Sequence, residues 1–145
     1  MIRAWVLALI IAARSAHAQP ANWEIKVPDR IEVAQGATGS LAISIAVDRG
    51  FSISKDGPVL IDLAPEPGVT IKKRRLGRAD AVDPGADVPR FVVPVRGDTA
   101  GDHVAKVRIR LWLCGGKVCR PLDVKRQTVV SVGAPEPPAP SPAPK

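Results

Sequence analysis

The chain has 145 residues, with 21 lysines and arginines against 14 aspartates and glutamates, two cysteines and five aromatic residues. Without the leader identified below, 19 basic residues face 14 acidic ones, a net charge of +5 over about 127 residues, one domain's worth with room for a core. That balance suits an anionic surface or an acidic partner, whereas export and the scarcity of stacking aromatics argue against a nucleic-acid role.

Residues 1–18 read as a signal peptide. Met1-Ile2-Arg3 is a short positive start, Ala4 to Ala13 is an apolar run, and Ala16-His17-Ala18 is an A-x-A cleavage pattern. Cleavage is expected before Gln19, which places the mature chain in the periplasm or outside the cell. The apolar run is too short for a bilayer anchor, and no later segment approaches eighteen apolar residues. The expectation is a mature chain with no integral membrane segment.

From Gln19 to Val132 the dominant period is two, the signature of half-buried strands. Candidate strands are Trp23–Val27, Leu41–Val47, Val59–Leu63, Val69–Arg74, Phe91–Val95, Val107–Leu113 and Val124–Val132. Turn signals separate them: Gln35-Gly36, Asp48-Arg49-Gly50, Asp56-Gly57-Pro58, Glu66-Pro67-Gly68, Asp83-Pro84-Gly85 and Arg96-Gly97-Asp98. No stretch of about ten residues has helical periodicity outside the leader. About seven or more short antiparallel strands at this spacing predict an all-β, immunoglobulin-like sandwich over residues 19–132. Lys106, Arg108 and Arg110 share one strand face by parity and are expected on the solvated side of a sheet. The run Lys72-Lys73-Arg74-Arg75 reads as a solvated strand end entering a loop.

The chemistry is concentrated in Leu111-Trp112-Leu113-Cys114-Gly115-Gly116-Lys117-Val118-Cys119-Arg120-Pro121. A strand runs into Cys114, and Gly115-Gly116 can supply the positive φ of a tight reversal. A four-residue turn would set Cys114 opposite Cys119, and in an oxidising compartment the two are expected to form a disulfide. The loop so closed is small: about six residues give only about 2 kcal/mol by chain entropy, against nearly 5 for a loop of about 100. Lys117, Arg120 and Arg110 lie close in sequence and would favour a thiolate. A reactive pair and a purely structural hairpin bridge both fit these residues. His103 is read as a polar loop residue ahead of a strand; with two cysteines it falls short of a closed metal site, and no metal or cofactor site is predicted.

From Gly133 to Lys145 the sequence is GAPEPPAPSPAPK, which is expected to be a disordered, proline-rich tail.

Taken together, Cys114-x4-Cys119-x-Pro121 at a strand end, Arg49-Gly50-Phe51-Ser52-Ile53 with Lys55-Asp56-Gly57-Pro58, Ala64-Pro65-Glu66-Pro67-Gly68-Val69 and Phe91-Val92-Val93-Pro94-Val95 form an ordered set. This set resembles the N-terminal periplasmic domain of the thiol:disulfide interchange protein DsbD family, over roughly Asn22 to Val132. The resemblance implies an immunoglobulin-like domain that relays reducing equivalents through Cys114 and Cys119 as its catalytic pair. Cys119 would be the attacking thiol and Cys114 the resolving one. It implies periplasmic, thioredoxin-like thiol-disulfide proteins or a separate membrane electron donor as partners. The family's membrane segments and thioredoxin-like domain are not found in this sequence, and the segment matching its covering loop, Leu76–Val88, has no aromatic residue. The expected function is thiol-disulfide exchange; the alternative is a non-enzymatic binding module whose disulfide pins the hairpin.

Overall fold

Alternating apolar and polar side chains put the chain into two facing sheets. The computed structural model describes residues 22–134 and 142, so the expected leader and nearly all of the proline-rich tail lie outside the described residues. Ten strands follow in chain order: β1 (Trp23–Lys26), β2 (Arg30–Ala34), β3 (Thr38–Val47), β4 (Phe51–Ile53) and β5 (Leu60–Pro65), then β6 (Val69–Thr70), β7 (Arg75–Leu76), β8 (Phe91–Gly97), β9 (Gly101–Gly115) and β10 (Val118–Gly133). One short 3-10 turn spans Arg78–Asp80. One sheet has the order β1-β3-β8-β6; the other runs β2-β10-β9-β5-β7, with β4 also paired to β9.

The immunoglobulin-like sandwich expected from the alternation is what forms, with one departure in strand direction. β2 runs parallel to β10, pairing Arg30–Ala34 with Val129–Gly133, while the other pairs are antiparallel. The expected strand Val69–Arg74 is shorter: β6 ends at Thr70, and β7 begins at Arg75. The basic run Lys72–Arg75 is exposed, as expected, but its first three residues form the connection between β6 and β7 rather than a strand end; Lys73 binds Asp80, and Arg75, at the start of β7, binds Asp62 at 2.7 Å.

The inward face of β9 carries Ala105, Val107, Ile109, Leu111 and Leu113, all nearly inaccessible to solvent. They share the core with Leu41 and Ile43 of β3, Phe91, Val93 and Val95 of β8, and Val130 of β10. Each such side chain contributes roughly 1.5–3 kcal/mol when taken out of water. Thr128, the buried polar side chain, donates its hydroxyl to the Pro28 carbonyl at 2.8 Å and so tethers β10 to the start of β2. The opposite face of β9 shows Lys106, Arg108, Arg110 and Trp112 outward, as parity requires. Arg108 forms a bidentate pair with Asp123 across the hairpin, and Arg110 reaches Asp62 on β5. Two of the arginines on this face are therefore paired to carboxylates on neighbouring strands, while Lys106 forms no ion pair among the described residues.

Candidate functional site: the cysteine hairpin

The hairpin register settles where the cysteines meet. Val118 pairs with Gly115 and Cys119 with Cys114, leaving a two-residue turn of Gly116 and Lys117. Gly116 has φ +61°, the left-handed conformation that a two-residue reversal needs at its first central position. Gly115 serves a different end. It lies in the strand, and a Cβ there would come 2.4 Å from Cε1 of Phe51, so the glycine makes room for the Phe51 ring. Cys114 and Cys119 are joined in a disulfide with their Cα atoms 4.0 Å apart.

Backbone direction along β9 fixes the environment of each cysteine. The Trp112 carbonyl accepts from Ser54 N, and the Val104 carbonyl accepts from Glu66 N, so even-numbered residues of β9 turn their backbone polar groups toward β4 and β5. Cys114–Cys119 and Trp112–Pro121 are therefore non-hydrogen-bonded pairs, the closer kind, which suits a cross-strand disulfide. The same alternation explains Pro121 in the middle of a strand: its nitrogen faces away from β9, where no ladder donor is required.

The two sulfurs belong to opposite sides of this ladder. Cys114 is half-buried and has β4 beside it, with Ser52 directly across. Beyond β4, Arg78 donates to the carbonyls of Ile53 (3.4 Å), Ser54 (2.9 Å) and Ala86 (3.1 Å), and Lys55 pairs with Asp87 at 2.9 Å. These bonds fasten the segment between β7 and β8 along the far edge of β4. Cys119 is exposed, as are its neighbours Val118, Arg120 and Pro121. Among the described residues no strand pairs with β10 on that side between Cys119 and Thr128.

Leu76 and Val82, two apolar side chains of the segment matched to the family's covering loop, part company. Leu76 is buried in the core, paired to Ile61 on β5, while Val82 is 51% exposed. An aromatic ring does reach the hairpin, but from outside that segment: Phe51 lies against Gly115. On the outward side, Trp112 and its partner Pro121 line a shallow notch with Pro58 beside the disulfide. Trp112 leans over Gly57, where a Cβ would lie 2.9 Å from its ring.

Of the three cations expected to favour a thiolate, Arg110 is committed to Asp62. Hydrogen bonds from Arg75 and then Arg110 hold the Asp62 carboxyl below the usual carboxylate range. A bond from Arg108 does the same for Asp123. Lys117 and Arg120 are exposed and form no ion pair among the described residues; both flank Cys119 in sequence, with Arg120 paired to Leu113 on the other face of the ladder.

His103 lies within β9 rather than in a loop before it. Its Nε2 is 2.8 Å from the Thr99 carbonyl and its ring packs on Gly68, near the opposite end of the strand from Cys114. Among the described residues, no group of three or more His, Cys, Asp or Glu side chains could hold a metal ion. Sequence reasoning brought Cys114 and Cys119 together across the hairpin; the pairing of Trp112 with Pro121 came from the register. That reasoning missed the service of Arg78, whose only sequence signal is a basic residue in a glycine- and aspartate-rich loop.

No protein-family model and no curated protein matches the chain. Solved structures align with it at low identity. A trypsin-activated α-2-macroglobulin from Escherichia coli aligns over 79% of this chain and 7% of its own, with 15% identity and a TM-score of 0.46. Domains 4 and 5 of the S-layer protein SbsC align over 75% and 51%, with 16% identity and a TM-score of 0.40. Murine CRIg aligns over 80% and 100%, with 8% identity and a TM-score of 0.37. The chain thus spans 7% of the macroglobulin and about half of the S-layer fragment it matches. No helix among the described residues is long and apolar enough to cross a membrane.

Proposed function

We propose that this chain is an exported thiol-disulfide exchange domain that passes reducing equivalents through Cys114 and Cys119 to or from partner proteins. The observation that carries the reading is the asymmetry of the pair: an exposed Cys119 at the edge of the sheet, joined to a Cys114 sheltered by β4. Exchange needs one sulfur a partner can reach and a second held within bonding distance to release it. The bridge closes a loop worth only about 2 kcal/mol in chain entropy, so it adds little that the long β9–β10 ladder lacks. Exposed Lys117 and Arg120 favour the thiolate that attacks.

In the reduced protein, the Cys119 thiolate attacks one sulfur of a partner disulfide. The partner S–S bond breaks, a mixed disulfide forms, and the partner's other sulfur leaves as a thiolate. The Cys114 thiolate then attacks Sγ of Cys119, which re-forms the intramolecular bridge and frees the partner as a dithiol. Two electrons and two protons pass to the partner, and a separate dithiol donor restores the starting state by the reverse steps. In this reading the expected signal peptide carries the chain to the periplasm or outside the cell, an oxidising setting that supports disulfide chemistry. The partners in this reading are thioredoxin-like thiol-disulfide proteins or a separate membrane electron donor.

The direct test is capture. Cys114→Ser retains the attacking thiol and removes the resolving one, so mixed disulfides on Cys119 should accumulate from a periplasmic extract; Cys119→Ser should accumulate none. Equal yields from the two variants, or none from either under mildly reducing conditions, would favour the binding module with a structural bridge.

A further inference from the structure

β10 uses its outer edge along only part of its length. The bond from Val129 N to the Asp29 carbonyl and the bond from Gln35 N to the Gly133 carbonyl show that odd-numbered residues of β10 turn their backbone groups away from β9. β2 takes up that edge from Val129 to Gly133. From Cys119 to Gln127 the same edge continues with no partner strand among the described residues. It offers the carbonyls of residues 119, 121, 123 and 127 and the N–H groups of 119, 123, 125 and 127; the Lys125 carbonyl on this edge accepts from the Arg126 guanidinium at 3.0 Å, a bond an added strand would replace. Such a row is a template for an added strand.

Charge selects the occupant. Lys117, Arg120, Lys125 and Arg126 are exposed along this stretch and form no ion pair among the described residues, whereas Asp123 is engaged by Arg108. A second copy laid edge to edge would set these cations against one another, and like charges across a strand pair are destabilising. An acidic strand meets the opposite situation.

We propose that the edge of β10 from Cys119 to Gln127 docks an extended, acidic segment of a partner protein, which joins the six-stranded sheet as an added strand beside the disulfide. Main-chain bonds supply the affinity, and the basic side chains set the preference for acidic sequence. β2 already demonstrates the geometry on the same edge. The added strand continues its line toward the hairpin tip and ends against Cys119. Docking of this kind does not require that the disulfide turn over.

The test uses the oxidised chain, tail included, and a cysteine-free peptide of about nine residues that alternates glutamate with threonine or valine and is blocked at both ends. Amide exchange followed by NMR reads the result. At saturating peptide the amides of Cys119, Asp123, Lys125 and Gln127 should exchange about tenfold more slowly, while those of Arg120, Leu122 and Val124, which face β9, stay unchanged. N-methylation of alternate peptide amides should weaken binding by about tenfold, as should the combined change Arg120→Glu, Lys125→Glu and Arg126→Glu. The proposal is overturned if the N-methylated peptide binds as well as its parent, if the four amides gain no protection, or if they are fully protected before peptide is added. The last result would mean that another part of this chain fills the edge. Because the probe has no sulfur, an inert disulfide on a protein that binds it would remove the exchange reading alone. A reactive hairpin whose edge ignores the peptide would remove the docking alone.

Discussion

On the Cys114 side of the hairpin, β4 completes the ladder, and Arg78 bonds the carbonyls of Ile53 and Ser54 beyond it. On the Cys119 side, β10 has no outer neighbour from Cys119 to Thr128 among the described residues, and basic side chains stand exposed along it. One covalent bond joins these two environments. The difference teaches how a single hairpin can hold one sulfur still and present the other. The sheltered side depends on long-range contacts; the open side depends only on a strand having no neighbour. Substitutions on the two sides should therefore have unlike consequences.

The largest expected effect is on the sheltered side. Arg78→Met leaves the carbonyls of Ile53, Ser54 and Ala86 without their donor, and should cost about 2–3 kcal/mol in urea unfolding. It should also speed amide exchange in the segment from Gly77 to Val88, and leave Cys119 as accessible to a thiol reagent in the reduced protein as before. Arg120→Ser, on the open side, should stay within about 0.5 kcal/mol of the parent. If the two changes cost the same, the contrast between the sides is wrong.

Gly115→Ala comes next. The added methyl meets the Phe51 ring, which must move outward from the core, at about 1–2 kcal/mol. Phe51→Leu in the same chain should recover part of that loss because the ring is gone. Gly116→Ala places a side chain at φ +61° but meets no atom within 4 Å, so it should cost only the strain of the left-handed turn, about 1 kcal/mol, without rescue by Phe51→Leu.

The smallest effect is that of acid. Asp62 and Asp123 titrate below their ordinary range in the folded chain because Arg75, Arg110 and Arg108 bond them. A depressed carboxyl contributes stability above its unfolded value, about 3.9, and loses it as pH falls through the folded value. The unfolding midpoint should be level above about pH 5 and decline below about pH 4, and Asp62→Asn should flatten part of that decline. The charges are exposed, so the slope should be shallow and should shrink further in high salt. A steep loss near neutral pH would require some group other than these carboxylates.

Much of this arrangement was legible in the residues, and the gaps have physical causes. Alternation from Leu41 to Val47 and from Val107 to Leu113 announced the inner faces of β3 and β9, because each strand buries one side only. β2 was not legible: Arg30–Ala34 buries only Val33, and its stability comes from pairing with the distant end of β10. β4 was hidden for the same reason, three residues between turns that become a strand only against β9. The cysteine pairing followed from a glycine turn between two strands. That Cys119 would be the open member could not follow from local sequence, since it depends on which strands neighbour β9 and β10. Nor could Arg78 be assigned, since its carbonyl partners lie up to 25 residues away.

The most direct measurement of the central claim is the equilibrium of Cys114 and Cys119 with a glutathione buffer, read by alkylation of free thiols. An exchange pair should be reduced and reoxidised within the working range of periplasmic partners, at a potential above about −300 mV, and Arg120→Glu with Lys117→Glu should slow its reaction while the fold persists. A potential well below about −300 mV would mark a structural bridge and contradict the exchange account.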